Sequence, residues 1–184
     1  MGQLERLAAQ AAAGDPAAQA ALVRATQADV WRLCAHLADR QAAEDLTQET
    51  YLRALPALRR FEGRSSLRTW LLSIARRVCA DHLRARRRRP LVLVGEDSEL
   101  AGLERDRPDD VVGGAVAAQD ALDRLDPDRR EAFVLTQLMG LPYAEAAEVA
   151  GCPIGTIRSR VARARADLVE ALQAADHPRA RRPS

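Results

Sequence analysis

Apolar residues recur along most of this chain every three or four positions, the spacing that places them on one side of an α-helix. Asp15 and Pro16 predict a helix start, because Asp caps a first turn and Pro fits its first position. The pattern predicts helices over about 4–13, from Pro16 onward, over about 41–58, 66–86 and 114–124, from Asp126-Pro127 to Gly140, and over about 142–150 and 153–174. Alternating Val, Ile and Thr runs are absent, so an all-α fold is predicted.

The apolar stripes of these helices define a candidate core. The stripe of the helix that follows Asp15 consists of Leu22, Val23, Thr26, Val30, Leu33, Cys34 and Leu37. After the loop that starts at Phe61, with Ser65 or Ser66 as the expected helix cap, the stripe consists of Leu67, Trp70, Leu71, Ile74 and Val78. In the helix that starts at Asp126-Pro127, the residues expected to face inward are Val134, Leu135 and Leu138.

Charge divides the chain into three parts. Residues 1–90 carry 16 arginines and 9 acids, residues 91–120 carry 2 arginines and 8 acids, and the remainder is nearly neutral. Because residues 91–113 also lack an apolar period, they are predicted to be a flexible acidic linker. The expected architecture is two small helical domains, 1–90 and 114–175, followed by a disordered tail over 176–184. The basic first domain indicates a polyanionic partner.

The segment from Tyr143 to Leu168 has the spacing of a helix-turn-helix. Ala147 is small where two helices would cross, Gly151 suits a left-handed turn, and Ile157 would anchor the second helix. On that second helix, the expected buried arc is Ile154, Ile157, Val161, Ala164 and Leu168. The opposite face consists of Gly155, Ser159, Ala162, Arg163 and Ala166, and its flanks carry Thr156, Arg158, Arg160 and Arg165. Small residues with one Arg suit close approach to base edges, although an ordinary amphipathic helix with solvated arginines has the same periodicity.

Two further surfaces stand out in the first domain. Asp45, Gln48, Glu49 and Leu52 fall on one helix face, and a polar face with one exposed Leu suggests protein docking, with a plain solvated face as the alternative. The helix over 66–86 carries a stripe beside its apolar arc made of Ser73, Arg77, Ala80 and Arg84, with Arg68 and Arg76 farther round. Such a stripe suits a groove that follows a nucleic-acid backbone.

Several classes of function find no support in the sequence. The cysteines at 34, 79 and 152 form no paired-ligand motif and are expected to be reduced thiols. Neither a signal peptide nor a bilayer-spanning run is present, so a cytoplasmic protein without membrane insertion is expected. No nucleophile–base pair or metal cluster is found, and catalytic residues, metal and cofactors are expected to be none. A stand-alone helix-turn-helix regulator and a nucleic-acid enzyme such as a recombinase are the rival functions.

Four motifs resemble the extracytoplasmic-function branch of the sigma-70 family, most closely its actinobacterial sigma C-type members. They occur in family order between about residues 18 and 172. The motifs are Asp45-Leu46-Thr47-Gln48-Glu49-Thr50-Tyr51, Phe61-x-Gly63-x-Ser65, Thr69-Trp70-Leu71-x-x-Ile74-Ala75-Arg76, and Gly155-Thr156-Ile157-Arg158-Ser159-Arg160-Val161-x-Arg163-Ala164-Arg165. The resemblance implies a non-enzymatic sigma factor that binds core RNA polymerase, recognises the −35 and −10 promoter elements and promotes transcription initiation.

The resemblance also implies roles for particular residues. Those that match the surface docking on the β′ clamp helices of the polymerase are Asp45, Gln48, Glu49 and Leu52. Those that match the −10 element readers and the loop capturing a flipped base are Phe61, Gly63, Arg64, Ser65, Arg68, Trp70, Arg76, Arg77 and Arg84. Those that match the −35 readers and their backbone contacts are Thr156, Arg158, Ser159, Arg160, Arg163 and Arg165. Arg77 departs from relatives, which often carry Asn there.

The partners that the resemblance implies are core polymerase, through the β′ clamp helices and the β flap, promoter DNA, and an anti-sigma factor. The acidic linker matches the segment that passes through the polymerase cleft.

Overall fold

The computed structural model describes residues 2–88 and 118–176, and all regular secondary structure in these two ranges is helical. In the first range the helices are α1 (Gln3–Ala12), α2 (Pro16–Leu37), α3 (Ala43–Ala57), a 3₁₀ turn (Leu58–Arg60) and α4 (Leu67–Arg88). In the second range they are α5 (118–123), α6 (Pro127–Phe133), a π-helical turn (Val134–Leu138), α7 (Tyr143–Ala150) and α8 (Ile154–Asp176). The predicted linker over 91–113 lies outside the described residues, as do residues 177–184 of the predicted tail.

Polar caps fix the starts of three helices. Asp15 Oδ1 accepts a hydrogen bond from Ala17 N at 2.9 Å, and Asp126 Oδ1 accepts one from Asp128 N at 3.1 Å. Ser66 Oγ accepts from Thr69 N at 3.1 Å, so Ser66 rather than Ser65 caps α4. Each cap satisfies a backbone donor that the first turn of a helix leaves without a partner.

Two apolar clusters hold the first domain together. Helices α2, α3 and α4 enclose the larger one, in which Val30, Leu33 and Ala75 are fully buried. A hydroxyl pair inside this bundle, Thr26 Oγ1 and Tyr51 Oη at 2.7 Å, satisfies two polar groups in a buried position. The smaller cluster lies where α1 meets α2, the 3₁₀ turn and the start of α4.

The predicted core needs two corrections in the second domain. Leu138 is 41% exposed, while Met139 and Leu141 are buried in its place. The π-helical turn explains this, because the bond from Met139 N to Val134 O at 2.9 Å spans five residues and shifts the inward face. Ile154 is also exposed rather than buried, since it occupies the first turn of α8, before that helix packs against its neighbours.

The two domains contact each other directly. Helix α4 packs against α7, and the larger apolar cluster continues from the first domain into the second. Among the described helices, none combines the length and the apolar character needed to cross a bilayer.

Candidate nucleic-acid interface and docking surface

Helices α7 and α8 form the helix-turn-helix that the sequence predicts. Gly151 ends α7 in the left-handed conformation, with φ 66° and ψ 38°. The amide of Cys152 then donates to Ala147 O at 3.1 Å, which satisfies a carbonyl of the last turn. Ala147 is buried at the crossing, and Ile157 of α8 is fully buried beneath it. The small residue, the turn Gly and the apolar anchor therefore lie where their spacing placed them.

The face of α8 that points away from the core is open. All five residues predicted for this face are exposed: Gly155, Ser159, Ala162, Arg163 and Ala166. Arg158, on the flank, is exposed as well, and the small neighbours leave room for a groove wall to come close. This face can present the Arg163 and Arg158 guanidinium groups to a DNA major groove.

Two other arginines of α8 are held by the second domain itself. Arg160 forms an ion pair with Asp128 of α6, and Arg165 Nη2 donates to Gln137 Oε1 at 2.7 Å. Both side chains lie at the edge of the helix and tie it to the preceding helices. Their contacts orient α8 and also leave guanidinium protons for a phosphate.

The docking face of α3 carries one exposed leucine among acids and an amide. The Leu52 side chain is 70% exposed, Asp45 and Gln48 are exposed, and Glu49 is half-buried. Leu46, one turn before Thr50, faces the core as predicted. A large apolar side chain left in water within a polar rim is the composition of a protein-binding surface.

An ion-pair chain fixes this face to α4. Arg53 Nε lies 2.7 Å from Glu49 Oε1, and Arg53 Nη1 lies 2.8 Å from Asp81 Oδ2. Hydrogen bonds from Arg53 and then Arg84 hold the pKa of the Asp81 carboxyl below its ordinary value. The pairs are exposed and therefore contribute orientation more than stability.

The loop between the 3₁₀ turn and α4 borders an open surface cavity of about 270 Å³. Its lining residues are Arg60, Phe61, Glu62, Arg64, Ser65 and Trp70. The Phe61 and Trp70 rings have centroids 5.2 Å apart and are tilted by 51°, and Arg64 pairs with Glu62 across the turn at Gly63. Two aromatic faces beside a guanidinium suit the stacking of an unpaired base.

Helix α4 presents its predicted basic side chains in two ways. Arg77 and Arg84 are exposed; Arg84 pairs with Asp81 at 2.5 Å on the same helix. Arg68 and Arg76 lie instead at the contact with the second domain. Arg68 Nε lies 2.6 Å from Asp29 Oδ2, and Arg68 Nη2 donates to Met139 O at 3.0 Å.

Two glutamates of the second domain bind side chains at the start and in the middle of α4. Arg76 is paired with Glu131 of α6, whose second oxygen lies 3.3 Å from Arg76 Nη2. Hydrogen bonding to Glu131 raises the pKa of Arg76 above its ordinary value. Glu145 of α7 accepts from Thr69 Oγ1 at 2.5 Å and from Ser66 Oγ at 3.3 Å. Arg68 and Arg76, which resemble −10 readers, therefore contact protein carboxylates in this arrangement, as do the neighbouring hydroxyls of Ser66 and Thr69.

Sequence reasoning missed Glu131 and Glu145. Each occurs in an Ala-containing helix among other charged residues, and nothing in the local pattern distinguishes them from solvated acids. Their one unusual property, a partner 55 or 76 positions away, is visible only in three dimensions.

Across residues 2–88 and 118–176, no group of three or more His, Cys, Asp or Glu side chains is arranged to hold a metal ion.

Comparison with known families gives two matches. Residues 22–89 match the description "Sigma-70 region 2", and residues 115–168 match "Sigma-70, region 4".

Individual relatives agree with these matches. The chain is 52% identical over 163 residues to the "ECF RNA polymerase sigma factor SigC" of Mycobacterium tuberculosis, covering 89% of this chain and 88% of that protein, and equally similar to the "Probable RNA polymerase sigma-C factor" of Mycobacterium bovis. Among solved structures, CnrH in complex with the cytosolic domain of CnrY is 28% identical with a TM-score of 0.69, covering 91% of this chain and 96% of that one. The sigma factor RpoE of Bartonella quintana, in complex with the anti-sigma factor NepR, is 29% identical with a TM-score of 0.64, covering 82% and 94%.

Proposed function

Because this chain belongs to the extracytoplasmic-function branch of the sigma-70 family, and is an alternative sigma factor that directs transcription initiation, we propose that three of its surfaces divide the work of promoter recognition. The α3 face binds core polymerase, the α8 face reads the −35 element, and α4 with its preceding loop binds the −10 strand. The match to region 2 as well as region 4 counts against a stand-alone helix-turn-helix regulator.

The docking role of α3 is supported by the exposure of Leu52 beside Asp45, Gln48 and Glu49. Burying Leu52 in an apolar socket on the β′ clamp helices removes it from water, while the acids select a basic rim. The ion pair from Arg53 to Asp81 links this face to α4, so docking fixes the position of the −10 helix.

The −35 role of α8 is supported by the open face around Arg163. Arg163 and Arg158 can each form the bidentate hydrogen bonds that identify a guanine, and Ser159 can accept or donate beside them. Thr156, Arg160 and Arg165 lie at the edges of the helix, where phosphates pass.

The −10 role rests on the aromatic loop cavity and the basic side of α4. Flipping a base out of the duplex costs a few kcal/mol. Stacking of that base on Phe61 and Trp70 recovers about 1–3 kcal/mol, the usual gain from stacking one base on an aromatic side chain. Arg64 and Ser65 also line the cavity, and the chain turns between Glu62 and Arg64 at Gly63. Arg77 and Arg84 then follow the sugar–phosphate backbone along α4.

The arrangement of the two domains implies an opening step. The Glu131 carboxylate pairs with Arg76, and the Glu145 carboxylate accepts hydrogen bonds from Thr69 and Ser66. Both carboxylates are anionic, like the phosphates of DNA. We infer that polymerase binding separates the domains and exchanges these carboxylates for promoter DNA. The acidic segment over 91–113 then spans the cleft, with 1–90 and 114–175 as the functional units.

Three further elements complete the proposal. An anti-sigma factor is a candidate regulator, since the structural relative from Bartonella quintana was solved with an anti-sigma factor. The chain contributes no covalent chemistry, because the polymerase supplies the reaction. It acts in the cytoplasm, where core polymerase and DNA are found.

The exposed Leu52 in its acidic rim is the observation that carries the docking assignment, and charge reversal tests it. The double variant Asp45→Lys, Glu49→Lys is expected to reduce co-purification with core polymerase at least tenfold, in keeping with the ~2 kcal/mol typical of an interface hot spot. A double reversal of exposed acids in the second domain, Glu148→Lys with Glu170→Lys, serves as the charge-matched control. Equal retention of both variants by polymerase would sink the assignment.

A further inference from the structure

Helix α1 lies outside the sigma-70 region 2 match, which begins at residue 22, yet it packs where the loop over 61–66 is anchored. The smaller apolar cluster contains Ala8 and Ala11 of α1, both buried. Leu4 and Leu7 of α1 pack against the same cluster from its outer side. Helix α1 therefore shares an apolar core with the segment that carries the candidate base cavity.

Both ends of that loop are fixed in the cluster that α1 completes. Leu58 of the 3₁₀ turn is 4% exposed, and Leu67, the first residue of α4, is 2% exposed. These two residues bracket the loop, and both belong to the cluster with Ala8 and Ala11. The distance that the loop must span is thus set by the packing of residues from α1.

The aromatic walls of the cavity rest on the same cluster. Phe61 and Trp70 line the cavity and are also packed, half-buried, against the residues of this core. Their ring centroids are 5.2 Å apart, a separation that depends on what supports them from below. No residue of α1 is among the cavity's lining, so α1 acts on it only through the cluster.

We propose that α1 is a positioning element for base capture, which holds the Phe61 and Trp70 rings, packed against each other, as the wall on which an unpaired base stacks. This inference rests on the proposed function of the loop. Removing apolar volume from α1 lets Leu58 and Leu67 relax toward the gap, because a close-packed core responds to the loss of even one methylene group. The rings then shift relative to each other, and the base stacks less well.

The test is a thermodynamic cycle between the protein and the DNA, with the full chain bound to core polymerase. The probes are fluorescein-labelled single-stranded 12-mers, carrying the −10 segment of a promoter that this holoenzyme selects from a random library. A matched set places an abasic site at each position in turn. The wild type is expected to lose on the order of tenfold in affinity at the captured position, as follows from the worth of one stacked base.

In the variant Leu7→Ala, the same abasic substitution is expected to lower the affinity for the probe by only about twofold or less, because the variant has already lost part of the stacking on the intact probe. Leu4→Ala, at the other half-buried leucine of α1, is expected to act in the same direction and provides a second variant should Leu7→Ala fold poorly. The conservative variant Leu7→Met, which keeps the volume, is expected to restore the wild-type ratio.

A general loss of stability gives a different result. Leu125→Ala removes buried volume from an apolar cluster of the second domain, against which neither Phe61 nor Trp70 packs. It is expected to lower the affinity for intact and abasic probes equally, and so to keep the tenfold ratio. If Leu7→Ala and Leu4→Ala also keep that ratio, α1 has no positioning role. If no abasic position lowers the affinity of the wild type, the loop does not capture a base. That result would contradict the proposed function of the cavity, and with it the role of α1.

Discussion

The side chains assigned to polymerase and DNA fall into two groups: some are exposed without a partner among the described residues, and others already form an ion pair or hydrogen bond within the protein. Arg163 and Leu52 are exposed and point away from their own domains, whereas Arg76, Arg160 and Arg165 have protein partners. Helical periodicity predicted which face each residue lies on. It could not predict the partners, since an arginine on a polar face looks the same whether it meets water or a distant glutamate.

Arg163 tests base reading at the −35 element. Arg163→Ala is expected to relax the preference for one base pair, at a cost of about 1–3 kcal/mol on the preferred sequence and little on others. Fluorescence anisotropy of the holoenzyme with −35 duplexes altered at single positions measures this directly. The exposed Arg24 of α2, changed to Ala, controls for the loss of one positive charge. A uniform loss on every duplex would assign Arg163 to a phosphate instead.

Leu52 tests docking without disturbing the fold. Because its side chain is largely in water, Leu52→Ala is expected to change the free energy of unfolding by less than about 0.5 kcal/mol. Its affinity for core polymerase is expected to fall by about tenfold, the consequence of removing a buried anchor from the complex. Leu172→Ala, at an exposed apolar position of α8, is the control in a titration of labelled polymerase. Unchanged binding of Leu52→Ala would remove this leucine from the interface.

At the scale of elements, local signals predicted most of the helices and one turn. Asp15 and Asp126 accept hydrogen bonds from backbone N–H groups two or three residues later, and Gly151 adopts the left-handed conformation that ends α7. These effects are local, so the sequence alone reveals them. Leu138 was placed wrongly because a π-helical turn adds a residue that a regular 3.6-residue period does not anticipate. The aromatic loop was predicted, but its dependence on α1 was not, since the contact joins segments about 50 residues apart.

The turn of the helix-turn-helix provides an element-scale test with an internal control. Gly151→Ala is expected to destabilise the second domain by about 1–2 kcal/mol, because a left-handed φ brings Cβ close to the carbonyl oxygen. Apart from residue 151 itself and its two chain neighbours, no atom lies within 4 Å of the new Cβ, so the effect comes from the local backbone conformation and not from a clash with the rest of the fold. Gly155→Ala, in the first turn of α8 with equally open surroundings, is expected to be neutral or stabilising. Urea unfolding followed by circular dichroism would contradict this account if both variants lost stability alike.

At the scale of the whole molecule, the second domain covers residues of α4 that the proposal assigns to the −10 strand. The sequence predicted two helical domains, and it gave no sign that Glu131 and Glu145 would meet α4. Such contacts depend on the relative placement of the domains, which no local propensity encodes. The proposed contact of α4 with DNA therefore requires a rearrangement from the form described.

A substitution at Glu131 tests the contact between the two domains. Glu131→Ala leaves the half-buried Arg76 without its carboxylate, and the contact between domains is expected to weaken by about 1–2 kcal/mol after allowance for solvent. Small-angle X-ray scattering of the free chain is expected to show a larger radius of gyration. Glu148→Ala, at an exposed acid of α7, controls for the loss of one negative charge. An unchanged radius for Glu131→Ala would mean that the pair of Glu131 with Arg76 does not hold the domains together.

Run-off transcription is the measurement that tests the central claim most directly. Core polymerase is combined with the purified chain and a template library randomised at the −35 and −10 positions, and the transcripts are sequenced. The account predicts transcripts that depend on the chain and start downstream of two enriched elements, with Arg163→Ala flattening only the upstream one. Transcripts that are absent, or that show no enrichment of either element, would contradict it.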